Sequence, residues 1–285
     1  MLVFPYFFSF YLLLGLLEDF GYLPRLAVVL DALFHRLGLH GYSSIPVMLG
    51  LGCKVPAFLA TRTLSNRREK ILTTALILMC APCLPQSAMI FSMGMHYGPG
   101  TVIAIFCILV VLAISMNILL NKIIKGEIPE MFMEIPSYRI PSVTLLVRKL
   151  WARMVEYAFE VLPMIVIGVL IIHFLDAWGA LNFLSETVGK PFAWALGLPR
   201  EIASVLLLGF LRKDVSIALL APFNLSGTKF VVAAIFMVLY IPCIASFFTL
   251  VRELGVKAML MVCGLIFACA IGIAAGLNAV FRFVI

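Results

Sequence analysis

Gly50-Leu51-Gly52-Cys53-Lys54-Val55-Pro56 returns, degenerate but legible, as Gly209-Phe210-Leu211-Arg212-Lys213-Asp214-Val215. Each copy is followed by a second signature, Ala81-Pro82-Cys83-Leu84 and then Ile241-Pro242-Cys243-Ile244. The offset between copies is 159 residues for the glycine and lysine and 160 for the proline and cysteine. Two separate matches at one spacing are hard to obtain by chance. Each copy sets glycine, lysine and proline or aspartate inside apolar sequence, where an ordinary membrane helix avoids them. Interrupted hydrophobic segments in corresponding halves of a chain point to a transporter's substrate site.

Composition places the chain in a bilayer. Hydrophobic residues make up 64% of the 285 residues and charged residues 12%, and the mean hydropathy is +1.14. A soluble domain is about 45–50% apolar and about 25% charged. Thr101–Asn121, Phe230–Val251 and Ala258–Phe281 contain no Asp, Glu, Lys or Arg, and neither does Ile71–Tyr97. Each reaches the ~20 residues needed to cross a ~30 Å hydrocarbon core. The expected fold is therefore an all-α polytopic membrane protein, with the lipid bilayer as its first partner. Met1–Leu17 is apolar but has no basic n-region and no small-residue cleavage site, so it reads as a retained helix rather than a signal peptide. The net charge of +7 does not indicate nucleic acid, because the basic residues gather at helix ends, where they anchor cytoplasmic loops. Seven cysteines form an odd set lying mostly in apolar runs, which argues against a disulfide framework. Cys80 and Cys83 have CxxC spacing without a second pair, a weak zinc signal.

Charge also orients the spans. Arg67-Arg68-Glu69-Lys70 precedes the run at Ile71, and Lys122, Lys125, Arg139, Arg148, Lys149 and Arg153 follow the run ending at Asn121. The connection 93–100 between these runs carries no lysine or arginine. The basic loops 64–70 and 122–153 thus fall on one side, read as cytoplasmic, in a multi-pass protein of the cell (inner) membrane. A helix from Tyr157 to Leu175 would cross outward, and Arg252 and Lys257 flank a turn that returns inside. The run after the first interrupted segment then begins inside and the run after the second begins outside, so the two repeats are inverted. The domain reading is an N-terminal half, 1–121, with the first gate repeat; a cytoplasmic linker, 122–154, broken by Pro129, Pro136 and Pro141; and a C-terminal half, 155–285, with the second. Leu23–Leu39, with Arg25, Asp31, His35 and Arg36, suits a surface or bundle-facing helix. Whether each interrupted segment crosses or re-enters is left open by the sequence.

The charges that need explaining are Lys54, Arg62, Lys213 and Asp214, because an ionisable residue at membrane depth costs ~2.5–3.5 kcal/mol on insertion scales. Snorkelling near a helix end competes for Arg62 and Lys54, and a local ion pair competes for Lys213-Asp214. Cys53, Cys83 and Cys243 each lie beside a proline or glycine, where unwound backbone offers carbonyl oxygens next to a thiol. Gln86, Ser87 and Ser246 add side-chain oxygens within a turn. Together these residues suit a path for a transition-metal cation. The competing reading is that prolines kink helices and cysteines pack at the kinks. Glu18-Asp19 either attracts cations at a vestibule or only ends the first apolar helix. Gly189-Lys190 lacks the earlier glycine of a phosphate loop, and His35, His40, His96 and His173 are scattered. No enzyme signature and no permanently bound cofactor is expected.

At these residues the sequence resembles a known family. Leu17–Arg25, Gly50–Thr63, Met133–Tyr138, Gly209–Leu220 and Leu239–Cys243 resemble, in order, the membrane domain of FeoB-type ferrous iron transporters. The same gate, or nucleoside-recognition, segments define a broader superfamily that includes nucleoside transporters and sporulation membrane proteins. The resemblance implies that Cys53, Cys83 and Cys243 line an iron path, that Gly50, Gly52, Lys54, Pro56 and Arg62 form one gate, and that Gly209, Lys213 and Asp214 form the other. Gln86 and Ser246 accompany the cysteines. Lys54 departs from the asparagine common in the family and either lowers affinity for Fe²⁺ or is neutralised by an acid such as Glu18 or Asp214. The family's GTP-binding domain is expected either as a separate GTPase partner chain or not at all, the substrate having then drifted. One chain suffices, or a homo-oligomer supplies further helices. Three functions follow: a permease subunit for a divalent metal, Fe²⁺ first, with no enzymatic activity of its own; a gate-domain permease for an organic solute such as a nucleoside, held by Lys54 and Lys213; or a non-conducting membrane scaffold.

Overall fold

The structure, a computed structural model, describes residues 3–64, 66–80, 82–124, 142–156, single positions between 159 and 178 and at 209, 213–223, 225–240 and 242–284. The expected crossing 157–175 falls mostly outside these residues, as do 125–141 of the linker and Arg212. Among the described residues every regular element is a helix and no strand occurs. The chain divides into two compact units, Met1–Leu84 with Leu112–Pro163, and Pro85–Val111 with Met164–Ile285.

In the first unit, α1 (Val3–Asp19) turns into α2 (Tyr22–Arg36) through Gly21. Gly21 has φ 75°, a left-handed conformation that glycine adopts without Cβ strain. Leu23, Ala27 and Phe34 of α2 are buried while Asp31, His35 and Arg36 face out, as its charge pattern requires. The first interrupted segment is two short helices, α3 (Ser44–Gly52) and α4 (Lys54–Ala60). Nine residues of α3 rise about 13 Å, and a hydrocarbon core is ~30 Å thick, so neither piece can cross alone. α3 packs against α5 (Arg67–Cys80), and α8 (Val143–Glu156) packs against α1.

In the second unit, α9 (Lys213–Ala218) packs against α10 (Gly227–Leu239). α11 (Ile244–Leu254) turns through Gly255 into α12 (Val256–Val284), which also lies along α10. α6 (Leu84–Gly94) and α7 (Pro99–Ile123) follow α5 in the chain.

Among the described residues four segments are long and apolar enough to cross a membrane: Arg67–Tyr97, Pro99–Ile123, Gly227–Leu254 and Val256–Ala274. They coincide with the four uncharged runs of the sequence. Two of them, α5–α6 and α10–α11, are interrupted, at 82–83 and at 240 and 242–243. The parts of the interrupted segments that precede the breaks are enclosed. Residues 71–79 of α5 and 230–239 of α10 are buried without exception. α7 instead shows two faces: Val102, Ile105, Leu109, Ala113 and Met116 are buried, and Ile103, Val111, Ile114 and Ile118 are exposed. An apolar stripe of that length is a lipid-facing surface. Freed backbone groups are tolerated at membrane depth only when protein encloses them, which accounts for the breaks lying in the buried helices.

The basic clusters meet at one end of the first unit. Arg68 Nε donates to the Ile124 carbonyl at 2.8 Å, and its guanidinium also donates to Asn121 Oδ1. An arginine there satisfies a carbonyl left open at the C-terminus of α7 and complements its dipole.

Candidate functional site

Cys53 separates α3 from α4. Its backbone is extended (φ −148°, ψ 134°), and its N–H closes α3 on the Leu49 carbonyl at 3.0 Å. α4 then starts at Lys54, with Pro56 in its first turn, where a missing N–H costs nothing. Pro56 thus begins a helix rather than kinking one. Gly50 and Gly52 are both buried in α3, and a Cβ on Gly52 would enter the Phe10 ring. At the far end Thr61 Oγ1 donates to the Phe58 carbonyl at 2.6 Å and Thr63 Oγ1 to the Ala60 carbonyl at 2.8 Å, closing the last turn. Arg62 stands exposed between them.

Lys54 is only 4% exposed, and its ammonium donates to the Leu78 carbonyl at 3.0 Å. Leu78 lies four residues before Pro82. In an α-helix that carbonyl would accept from the N–H of residue 82, and proline has none. The second unit repeats the arrangement. Lys213, 6% exposed, donates to the Val238 carbonyl at 3.0 Å, and Val238 lies four residues before Pro242. Each gate lysine thus supplies the proton that a proline withholds. Among the described residues the lysine is the side-chain donor each carbonyl has, and losing the hydrogen bond of a buried carbonyl costs ~1–3 kcal/mol. Glu18, one acid expected near Lys54, pairs with Lys149 instead, and the side chain of Asp214 is outside the described residues.

The prolines are followed by half-buried Cys83 and Cys243. Cys243 Sγ lies 3.2 Å from the hydroxyl of buried Ser246. Buried Gln86 donates from Nε2 to the Met237 carbonyl at 3.4 Å, one residue before Val238. Lys213 also sits 5.8 Å from the Tyr240 ring centre, and a Cβ on Gly209 would lie 3.0 Å from Ser216 Oγ and 3.4 Å from Tyr240 Oη. Among the described residues no three of His, Cys, Asp and Glu group closely enough to hold a metal. Among the described residues a cation at a break would therefore rest on carbonyls, hydroxyls and amides beside no more than two thiols.

Glu18 and Asp19 are held by Lys149 of α8, at 3.1 and 2.5 Å. The Asp19 hydrogen bond, then the neighbouring Glu18, raises the lysine above its ordinary 10.5 although desolvation opposes them. A raised lysine contributes stability that is complete below its unfolded value and fades as pH climbs through the folded one. Lys149→Met is thus expected to cost about 0–1 kcal/mol, since Lys149 and Glu18 are half exposed. That loss, followed by urea unfolding, should stay constant from neutral pH to about 10 and shrink only above it.

The gate family, described as nucleoside recognition, matches residues 1–97 and 158–257, more than half of the chain. The chain belongs to that family. Between the two matched parts of this gate protein, residues 102–153 match the ferrous iron transport protein B C terminus. The protein named Fe(2+) transporter FeoB of Methanocaldococcus jannaschii is 27% identical over 90% of the chain and 44% of its own length. The FeoB of Helicobacter pylori is 34% identical over 58% of the chain and 26% of its own length. That of Staphylococcus aureus is 27% identical over 84% and 40%. The gate protein spans less than half the length of these relatives, and over that span it corresponds to the membrane domain of FeoB. No solved structure matches it.

Sequence reasoning singled out the gate lysines, prolines and cysteines but not the carbonyls of Leu78 and Val238 that tie them together. The available signal was spacing: Lys54 stands 28 residues before Pro82, and Lys213 stands 29 before Pro242. Glu69 was also missed. It sits in a run of basic residues yet is 6% exposed, accepting from the His40 N–H at 3.3 Å and from Ser43 Oγ at 2.8 Å.

Proposed function

We propose that this gate protein is the membrane permease component for a divalent metal, with Fe²⁺ as its substrate. The observation that carries the reading is the pair of helix breaks, each placing a proline-stripped carbonyl five residues before a cysteine. Broken helices near mid-membrane are where transporters hold cations, through freed carbonyls and helix C-termini. Thiols extend that preference to borderline metals such as Fe²⁺. The names of the FeoB relatives support the same substrate. In this reading Cys53, Cys83 and Cys243, with Gln86 and Ser246, line the path, and Glu18 and Asp19 stand at a vestibule closed by Lys149. The two interrupted segments are inverted repeats, and the Pro-Cys elements are their hinges. The end of the first unit where Arg68 meets Ile124 is cytoplasmic, in the inner membrane. A GTPase acts on that side, on this chain or a partner, and further copies of the chain complete the pore where one does not suffice.

Uptake of Fe²⁺ into anaerobic proteoliposomes tests the reading. Wild-type protein should accumulate Fe²⁺, and Cys53→Ser and Cys243→Ser should each lower apparent affinity about tenfold, the equivalent of ~1.4 kcal/mol of binding. Uptake indifferent to both substitutions would remove the cysteines from the path. Nucleoside uptake without iron uptake would favour the organic-solute alternative.

A further inference from the structure

We propose that Lys54 and Lys213 are tethered cations: each ammonium occupies the carbonyl at a helix break where a substrate cation would otherwise rest. The inference deepens the permease reading and rests on it. Three observations carry it. Both lysines are almost fully buried, and both donate at 3.0 Å to the carbonyl that a proline has stripped. Both carbonyls lie in the last turn before a helix ends, at Cys80 and at Leu239, where the helix dipole favours positive charge. A carbonyl in that position is also the ligand that discontinuous membrane helices present to transported ions.

The consequence is competition. A substrate cation gains the Leu78 or Val238 carbonyl only when the lysine leaves it, and the four-carbon stem makes departure a matter of side-chain rotation. Lys213 has a second resting place, the face of Tyr240, already at 5.8 Å and suited to an ammonium. Each break therefore stays electrically occupied when no substrate is present, and small cations do not leak along bare carbonyls. Lys54 and Lys213 determine specificity by excluding any ion that binds the break more weakly than an ammonium does.

The test measures thermal unfolding of purified wild type, Lys54→Met and Lys213→Met against Mn²⁺ and against K⁺, with Fe²⁺ uptake by the wild type recorded separately. Methionine fills the space of the stem without the charge, leaving the carbonyl to any free cation. Millimolar Mn²⁺ should raise the melting temperature of each methionine variant by about 3 °C or more while moving the wild type by less than about 1 °C. A response to K⁺ as well would extend the tethered-cation role to monovalent leak. Equal responses in wild type and both variants, or none in either variant, would overturn the proposal. If one variant does not fold, the other carries the same test in its own unit. Wild-type iron uptake with no difference in cation response sinks the lysine inference alone. A cation response confined to the variants, without iron uptake, sinks the iron reading and leaves the lysines as proposed.

Discussion

Pro82→Ala stabilises the Lys54→Met protein by about 1–3 kcal/mol and gives no such gain in the wild type. The asymmetry follows from one carbonyl. In the wild type the Leu78 carbonyl already accepts from the Lys54 ammonium, so an alanine N–H at 82 can only compete with the lysine for it. In Lys54→Met the carbonyl loses the ammonium, and the restored N–H takes its place. The single substitution Lys54→Met has no certain sign, because it removes the desolvation cost of an ammonium along with its hydrogen bond. The coupling between the two positions has a definite one. Unfolding the four proteins of the cycle with urea in one detergent measures it. The mirror cycle, Lys213→Met with Pro242→Ala, should give a coupling of the same sign and similar size through the Val238 carbonyl. Additive changes in both cycles would show that lysine and proline do not share a carbonyl.

Phe236→Ala is expected to cost about 3–5 kcal/mol, the range for emptying an aromatic site in a packed core. Phe236 is 1% exposed in a helix whose residues 230–239 are all buried, and its ring stacks on Tyr240 at 5.4 Å between centroids. The loss is one of packing, since lipid is as apolar as the residues that would line the cavity. Ile103→Ala of α7 makes the control, as its side chain is 63% exposed on the lipid-facing stripe. It should cost no more than ~0.5 kcal/mol by the same unfolding measurement. Equal losses at the two positions would mean that α10 is not enclosed.

The spans were legible because hydrocarbon demands long runs without charge. Ile71–Tyr97 and Thr101–Asn121 correspond to Arg67–Tyr97 and Pro99–Ile123, and Phe230–Val251 to Gly227–Leu254. Each run was read short at its N-terminus, since Arg67 and Lys229 can belong to a helix while their charges reach its end. The interruption at Cys53 was legible from glycine and proline, which restrict or free the backbone whatever surrounds them. The partner of Lys54 was not, because a backbone carbonyl carries no letter and only the proline four residues on marks it as open. Lys149 meets Glu18 and Asp19 from 131 and 130 residues away, a pairing that no local period encodes. Glu69 reads as one member of a solvated charge run until its hydrogen bonds to His40 and Ser43 are seen.

The 25 residues of α7 rise about 37 Å, some 7 Å more than a typical hydrocarbon core. Such a helix tilts, or the surrounding bilayer swells, and either response costs a fraction of a kcal/mol per ångström of mismatch. The residues flanking the breaks on α5 and α10 are sheltered by protein and have no lipid to match. Bilayer thickness therefore loads the half-exposed α7 directly, and reaches the breaks only as strain passed on by the helices that touch lipid.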